Sequence, residues 1–275
     1  METRKDIMRQ AKVDKLSLTG QVAVVTGSTQ GIGGGIALKL AEAGARIIVH
    51  GHDSQRAGGE KIVEAIEAGG SQALLVTGDL RDESHCRSIV RNALMRFGRV
   101  DILVNNAGVS HRGTIEDTSI ELWDEIFAVN VRAPFLLCQE AVRHMKDRHS
   151  GCIINIGSLN GYCGVKQLLP YSASKGALMT FTKNLANYLT QYRIRVNQVN
   201  PGWTLTEGER HLVSVVEGKG ENWLDAAVKT RPFGRMLEPA DIANAVLFFA
   251  TNELISGTVL DYEQHPQGAP CGFPI

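Results

Sequence analysis

The chain has 275 residues with 29 basic and 29 acidic side chains, so its formal net charge is zero. That balance points away from nucleic acid and anionic membranes as partners, since both draw a basic surplus. With 43% hydrophobic residues the chain can bury a large core, and its 29 glycines suit a fold with many tight strand–helix turns.

The first ten residues contain no apolar run, so they do not read as a secretory signal. No stretch approaches the ~20 consecutive apolar residues of a membrane span. The five cysteines, Cys86, Cys138, Cys152, Cys163 and Cys271, show no paired short spacings. They read as reduced, mostly buried thiols of a cytoplasmic protein. Among the histidines, His50 and His52 flank a glycine at a strand end, and His144 and His149 lie on a charged helix end. No ligand set emerges, and no metal site is expected.

Taken in order, residues 1–19 are charged and read as an irregular arm. Gln21–Thr26 is a short β-branched apolar run, the mark of a strand buried on both faces. A glycine-rich turn follows, then a helical pattern over Ile36–Ala43. Arg46–His50 reads as the second strand, Gln55–Ala68 as a helix, Gln72–Thr77 as the third strand and Glu83–Phe97 as a helix. Asp101–Asn105 is the fourth strand. Ile120–His149 reads as one long helix that tolerates Pro134 near a bend. Cys152–Ile156, Tyr171–Tyr192 and Ile194–Val199 give a strand, a helix and a strand. Residues 203–235 are polar and irregular, Pro239–Thr251 is a last helix and Thr258–Tyr262 a last strand. Apolar strands alternating with helices imply an α/β fold: a single doubly wound domain over residues 20–262, with a seven-stranded parallel sheet covered on both sides. Residues 263–275 form a tail. In such sheets ligands bind beyond the carboxyl ends of the strands.

The residues at those ends carry the chemistry. After the first strand comes Gly27-Ser28-Thr29-Gln30-Gly31-Ile32-Gly33, whose glycines allow a sharp turn that brings N–H groups and a helix N-terminus against a pyrophosphate. The third strand ends at Gly78-Asp79-Leu80 and the fourth at Asn105-Asn106-Ala107-Gly108, where amides either bind a ligand or close a turn. The fifth ends at Gly157-Ser158-Leu159-Asn160, and the sixth runs into Asn200-Pro201-Gly202-Trp203-Thr204. Asn130 lies inside the long helix, where an amide is more often a surface residue. Tyr171 and Lys175, four apart, share one helix face. A neighbouring ammonium favours the phenolate and lowers a tyrosine pKa from its usual value near ~10.

Together, Thr26–Gly33, Asn105–Gly108, Ser158, Tyr171–Lys175 and Pro201-Gly202 resemble the short-chain dehydrogenase/reductase family, and within it the sugar and polyol dehydrogenases and 3-oxoacyl reductases. The resemblance spans about residues 18–262. It implies hydride transfer between NAD or NADP and a secondary alcohol or carbonyl. Tyr171 would be the acid/base, and Lys175 would lower its pKa and hold the ribose. Ser158 would bind the reacting oxygen, and Asn130 would orient a water relaying protons from Lys175. The cofactor would rest on Gly27, Ser28, Gln30, Gly31, Ile32 and Gly33, with Asp79 and Leu80 at the adenine. Asn106, Ala107 and Gly108 would line the nicotinamide side, and Pro201, Gly202 and Thr204 the carboxamide. Relatives usually assemble as dimers or tetramers through helices matching Ile120–His149 and Tyr171–Tyr192.

After the second strand, Gly51 stands where an acidic residue usually binds a free ribose hydroxyl. His52 stands where NADP users often carry arginine, with Arg56 and Asp53 nearby. No permanent cation occupies either usual place, which tips the reading toward NAD. The lid, residues 203–235, is rich in charges, and Trp203, Asn160, Tyr162 and Gln167 offer polar contacts for a small substrate such as a sugar, polyol or sugar acid. A 3-oxoacyl-thioester reductase and a catalytically idle dinucleotide sensor or scaffold are the alternatives. Many relatives end the last strand in Asp-Gly-Gly, whereas this chain has Asp261-Tyr262-Glu263-Gln264-His265. That tail could cover a neighbour's site or lie on the surface.

Overall fold

The computed structural model describes residues 16–218, 220 and 222–265. Most of the expected N-terminal arm, the end of the tail and Cys271 lie outside them. Seven strands form one sheet: β1 (Val22–Val25), β2 (Arg46–Gly51), β3 (Ala73–Thr77), β4 (Ile102–Asn105), β5 (Gly151–Ile156), β6 (Ile194–Pro201) and β7 (Val259–Tyr262). All neighbours pair parallel, in the order β3-β2-β1-β4-β5-β6-β7. The chain reverses direction across the sheet between β1 and β4, and the carboxyl ends of those two strands open the crevice that a ligand would enter.

The helices are α1 (Gly31–Glu42), α2 (Arg56–Ala68), α3 (Glu83–Phe97), α4 (Ile120–Phe127), α5 (Ala133–Asp147), α6 (Leu169–Leu189), α7 (Glu207–His211), α8 (Trp223–Lys229) and α9 (Pro239–Thr251). Two cores sandwich the sheet, and successive strand residues alternate between them. Ala23, Val25, Ile47, Val49, Ile154 and Ile156 join the layer under α1, α2 and α9. Val22, Val24, Ile48, Leu103 and Ile153 join the layer under α3, α5 and α6. Because both faces are buried, the strands read as continuous apolar runs, and each Val, Ile or Leu fully withdrawn from water contributes about 1.5–3 kcal/mol.

Three departures from the sequence reading have physical causes. Helix α1 begins at Gly31, five residues before the expected Ile36, and so contains Gly33, Gly34 and Gly35. Gly35 faces α9, where a Cβ would lie 2.9 Å from Pro239 Cβ; close helix packing overrides poor helix propensity. The expected helix Ile120–His149 is broken by a π turn at Ala128–Arg132, after which Pro134 sits in the first turn of α5. The segment 203–235 is not irregular. It holds α7, a π turn at Leu212–Val216 and α8, and it builds a small core from Val213, Trp223, Ala227 and Met236, packed by Trp203 and Leu205.

Candidate active site

The glycine turn after β1 is shaped by close contacts. Gly27 has φ +63°, and a Cβ there would lie 2.8 Å from Ala107 Cα; a Cβ at Gly33 would collide with the Gly27 carbonyl oxygen and Asn106 Nδ2. Asn106 Nδ2 donates to the carbonyls of Thr26 (2.9 Å) and Gly27 (3.0 Å), and Thr26 Oγ1 accepts from the N–H of Asn106 and of Ala107, both at 3.1 Å. The amide of Asn106 therefore braces the turn from β4 rather than facing a ligand. Ser28 Oγ is likewise committed, donating to Val25 O (2.7 Å) and accepting from His50 N (3.0 Å). Of the expected contacts on this loop, Gln30, Gly31, Ile32 and Gly33 remain as the start of α1. That helix has no side-chain cap and no acidic residue in its first turn. Its first N–H groups and positive dipole end suit a pyrophosphate.

At the adenine end, Asp79 is engaged by Arg81, whose Nη2 lies 2.6 Å from Oδ2, and that hydrogen bond holds the Asp79 carboxyl below its ordinary range. Leu80 is buried in the core, and its carbonyl accepts from Cys86 Sγ at 3.2 Å. His52 is exposed and caps a short 3-10 turn, pairing with Ser54. Below it, His50 is buried against His85, the ring nitrogens 3.2 Å apart; burial first, then His85, lowers His50 to about 3.

The reacting centre gathers from β5, α6 and the π turn. Ser158 follows β5, is buried, and accepts from Asn160 N at 3.2 Å. Tyr171 lies in the first turns of α6 with the Ser158 hydroxyl as its hydrogen-bond partner. Lys175 is buried on the same helix face, its Nζ 5.7 Å from the Tyr171 ring centroid and 2.8 Å from the Ile156 carbonyl that it donates to. An ammonium has three donors, and this one hydrogen bond leaves two, beside Gly108, where a Cβ would stand 3.4 Å from Nζ. Ribose hydroxyls match that need.

The expectation that Lys175 lowers the Tyr171 pKa is not met by the protein groups alone. Burial raises the phenol, the Ser158 hydrogen bond draws it partway back, and the Glu209 carboxylate raises it further. Burial lowers Lys175 itself to about 8. Asn130 is not a surface residue of a regular helix: it is fully buried on the π turn, a device common at functional sites. Its Oδ1 accepts from Val109 N (2.9 Å), and its Nδ2 donates to Val109 O (2.9 Å) and Ser174 Oγ (3.0 Å). The side chain thus positions the Gly108–Val109 loop and α6.

The expected substrate contacts disperse. Tyr162 is exposed and donates to Asp261, 3.2 Å from either oxygen. Gln167 is exposed and reaches the loop after β4 through its carbonyl, which accepts from Gly113 N at 2.7 Å. Asn160 stays beside Ser158. Pro201 ends β6, and Gly202 lies so tight against Glu263 that a Cβ would collide with its carboxylate. Thr204 is buried with its hydroxyl donating to Gly202 O at 3.1 Å, so a carboxamide would have to compete for it. Trp203 Nε1 donates to Glu209 at 2.6 Å, and the Trp203 ring stacks on Trp223 with centroids 5.6 Å apart. His265 lies against the Thr230 carbonyl at 3.3 Å, on the lid of its own chain.

The sequence reading also missed a buried polar chain beneath the site. Asn105 Nδ2 donates to Asn155 Oδ1, Asn155 Nδ2 to Thr182 Oγ1, and Thr182 lies against Gln198 Oε1, each at 2.8 Å. Gln198 Nε2 then donates to Asn200 (2.7 Å) and Asn200 Nδ2 to Asp261 (2.9 Å). These links tie β4, β5, β6, β7 and α6 at the depth of Ser158. Polar letters inside apolar strands were the only signal available.

Among the described residues, no group of three or more His, Cys, Asp and Glu side chains is placed to hold a metal ion, and no helix is long and apolar enough to cross a membrane. Cys86, Cys138 and Cys152 are free and buried, and Cys163 is free and exposed.

Comparison with known proteins agrees with this geometry. The short chain dehydrogenase family model matches residues 21–215. An uncharacterised oxidoreductase of Methylorubrum extorquens is 39% identical over 89% of this chain and 96% of its own. A candidate tetrahydroxynaphthalene reductase of Zymoseptoria tritici is 36% identical over 94% of this chain and 97% of its own. A crystal structure from Beutenbergia cavernae, a candidate NAD(P)-dependent gluconate 5-dehydrogenase with NADP bound at low occupancy, superposes with a TM-score of 0.80. It is 30% identical and covers 90% of this chain and 96% of its own.

Proposed function

Because the chain belongs to the short-chain dehydrogenase family of NAD(P)-dependent oxidoreductases, we propose that it interconverts a secondary alcohol and a carbonyl on a small polar substrate, a sugar, polyol or sugar acid. The observation that carries this is the grouping of the buried Ser158 and Lys175 with the half-buried Tyr171, with Asn160 beside Ser158 and Glu209 facing the phenol from the lid. A nicotinamide, when bound, supplies the hydride acceptor or donor. Tyr171 takes the carbinol proton in oxidation and returns it in reduction, while Ser158 donates to the reacting oxygen as charge builds there. Lys175 holds the ribose hydroxyls with its two remaining donors, and the Ser158 hydrogen bond draws the phenol partway back from the rise that burial causes. Asn130 keeps Gly108 and α6 in register around that ammonium.

NAD is part of the same proposal. Gly51 offers no charge, and Arg56 donates to Thr77 and lies 3.7 Å from Asp53. The NADP in the Beutenbergia cavernae protein weighs the other way and belongs to that protein. A second reading comes from the Zymoseptoria tritici relative: a polyhydroxylated aromatic ketone, for which the Trp203–Trp223 pair offers a flat surface. Self-association as a dimer or tetramer is supported by an apolar groove of about 370 Å³ between α5 and α6, lined by Phe135, Val142, Phe181 and Leu185. A cytoplasmic location is supported by the free thiols.

The test is spectrophotometric: NAD or NADP against sugars, polyols, sugar acids, hydroxynaphthalenones and acetoacetyl thioesters. Turnover of a sugar or polyol with NAD is expected. Turnover confined to naphthalenones would favour the second reading, and NADPH-dependent reduction of thioesters alone would reject the sugar assignment.

A further inference from the structure

Among the described residues the lid places three charged side chains inward, and two of them are neutralised. Arg231, buried, lies 3.6 Å from the buried Glu263. Glu217 is paired with Arg112 from the loop after β4. The third, Glu209, is half-buried on α7 between the exposed Gly208 and Arg210. Its Oε1 is held at 2.6 Å by the indole N–H of Trp203, a neutral donor, and no cation lies within ion-pair distance among the described residues.

The carboxylate is held in place from several sides. Thr206 Oγ1 caps the Glu209 N–H at 3.0 Å. The methyl group of Thr206 lies 3.6 Å from where a Cβ of Gly31 would be, so α7 starts over the cofactor turn. The Trp203 ring stacks on Trp223 and carries the Arg231 guanidinium 5.6 Å from its centroid. The Tyr171 phenol feels the charge, which adds to the effect of burial in raising it.

We propose that Glu209 determines substrate charge at this site: its carboxylate, fixed on Trp203 and without a cation at ion-pair distance among the described residues, admits neutral polyhydroxylated or amine-bearing alcohols and rejects those carrying a carboxylate or phosphate near the reacting carbon. The inference rests on the proposed function and narrows it, removing sugar acids. A fixed charge about 7–10 Å from a bound anion, at an effective dielectric constant of ~20, opposes it by about 10- to 100-fold in binding. Neutral hydroxyls lose nothing to it and can donate to its free oxygen.

The experiment uses pairs of substrates that differ only by a carboxylate in place of a hydroxymethyl group: glucose-type polyols with their aldonic or uronic acids, and polyhydroxylated naphthalenones bearing a hydroxymethyl group with the matching naphthalenone carboxylates. The readout is the ratio of kcat/KM within each pair for the native protein and for Glu209→Gln, which keeps an acceptor for the Trp203 N–H. The native ratio should favour the neutral member by about 10-fold or more, and Glu209→Gln should bring it near unity. A merely structural role would lower both members of a pair equally. A native preference for the acid, or a ratio unmoved by Glu209→Gln, overturns the inference. If only the aromatic pairs turn over, the sugar reading fails while the charge selection is still decided by their ratio. If no pair turns over, both fall.

Discussion

Lys175 Nζ donates to the main-chain carbonyl of Ile156 at 2.8 Å, two positions before Ser158. This hydrogen bond fastens the catalytic face of α6 to the end of β5, so the serine and tyrosine cannot move apart without breaking it. Among the described residues no carboxylate lies within ion-pair distance of that ammonium, and burial is what acts on it.

That buried charge has a measurable cost. Its pKa falls from 10.5 to about 8 through burial. Below pH 8 the group is charged in both the folded and the unfolded chain, and the folded state bears the desolvation penalty. Between pH 8 and 10.5 the unfolded chain binds more protons, so stability gains up to about 3 kcal/mol as pH rises. Lys175→Met in the cofactor-free protein should therefore be more stable than the native chain at pH 7, with the gap closing toward pH 10, while turnover is lost. Thermal unfolding across that range is the check, and parallel curves for the two proteins would refute it.

Tyr171→Phe keeps the ring and removes the phenol. Turnover should fall by about 10³-fold or more, since the acid/base group is gone, with dinucleotide affinity within a few-fold of native. Stopped assays and fluorescence titration read the two effects separately. Residual activity within tenfold of native would remove Tyr171 from its role.

Gly33→Ala would put a methyl group into the Gly27 carbonyl and Asn106 amide. The turn must open, pulling the first N–H groups of α1 off a bound pyrophosphate. Dinucleotide affinity should drop by about tenfold or more, equivalent to losing one good charge-assisted hydrogen bond. Calorimetric titration decides it; native-like affinity would show that the cradle tolerates the methyl.

His50 predicts the acid limb of stability. Its pKa falls from 6.5 to about 3, chiefly by burial and then by His85. Between those values the unfolded chain takes up a proton that the folded chain refuses, so stability is lost as pH falls. The loss for this group is about 2–3 kcal/mol from pH 6.5 to 4.5. His50→Asn should flatten that decline in urea unfolding measured at the two pH values. An equally steep decline in the variant would place the acid sensitivity elsewhere.

The strands were readable to within a residue or two because a sheet buried on both faces leaves continuous apolar runs. Helix starts were harder. Gly31–Gly35 look like a loop until the closeness of Pro239 explains them, and the π turn at Asn130 leaves no periodic trace. Ser158, Tyr171 and Lys175 were legible as a group because they fall at predicted strand and helix ends, and the structure brings them together. Asn106, Ser28 and Tyr162 were placed as ligand contacts because sequence gives the position of an amide or hydroxyl but not the direction it points. Glu209 could not be singled out from the other lid charges, since its importance comes from Trp203 turning it inward.

Glu263 sits just past β7 and touches both ends of the lid, Arg231 at 3.6 Å and the N–H of Trp203 at 3.4 Å. The lid is thereby a cassette clipped to the sheet at its margins, while its middle has a small core of its own in Val213, Trp223, Ala227 and Met236. Residues between the clips can change what is admitted without touching how the sheet folds. Retuning such a catalyst for a new alcohol is a matter of exchanging the cassette and leaving Glu263 in place.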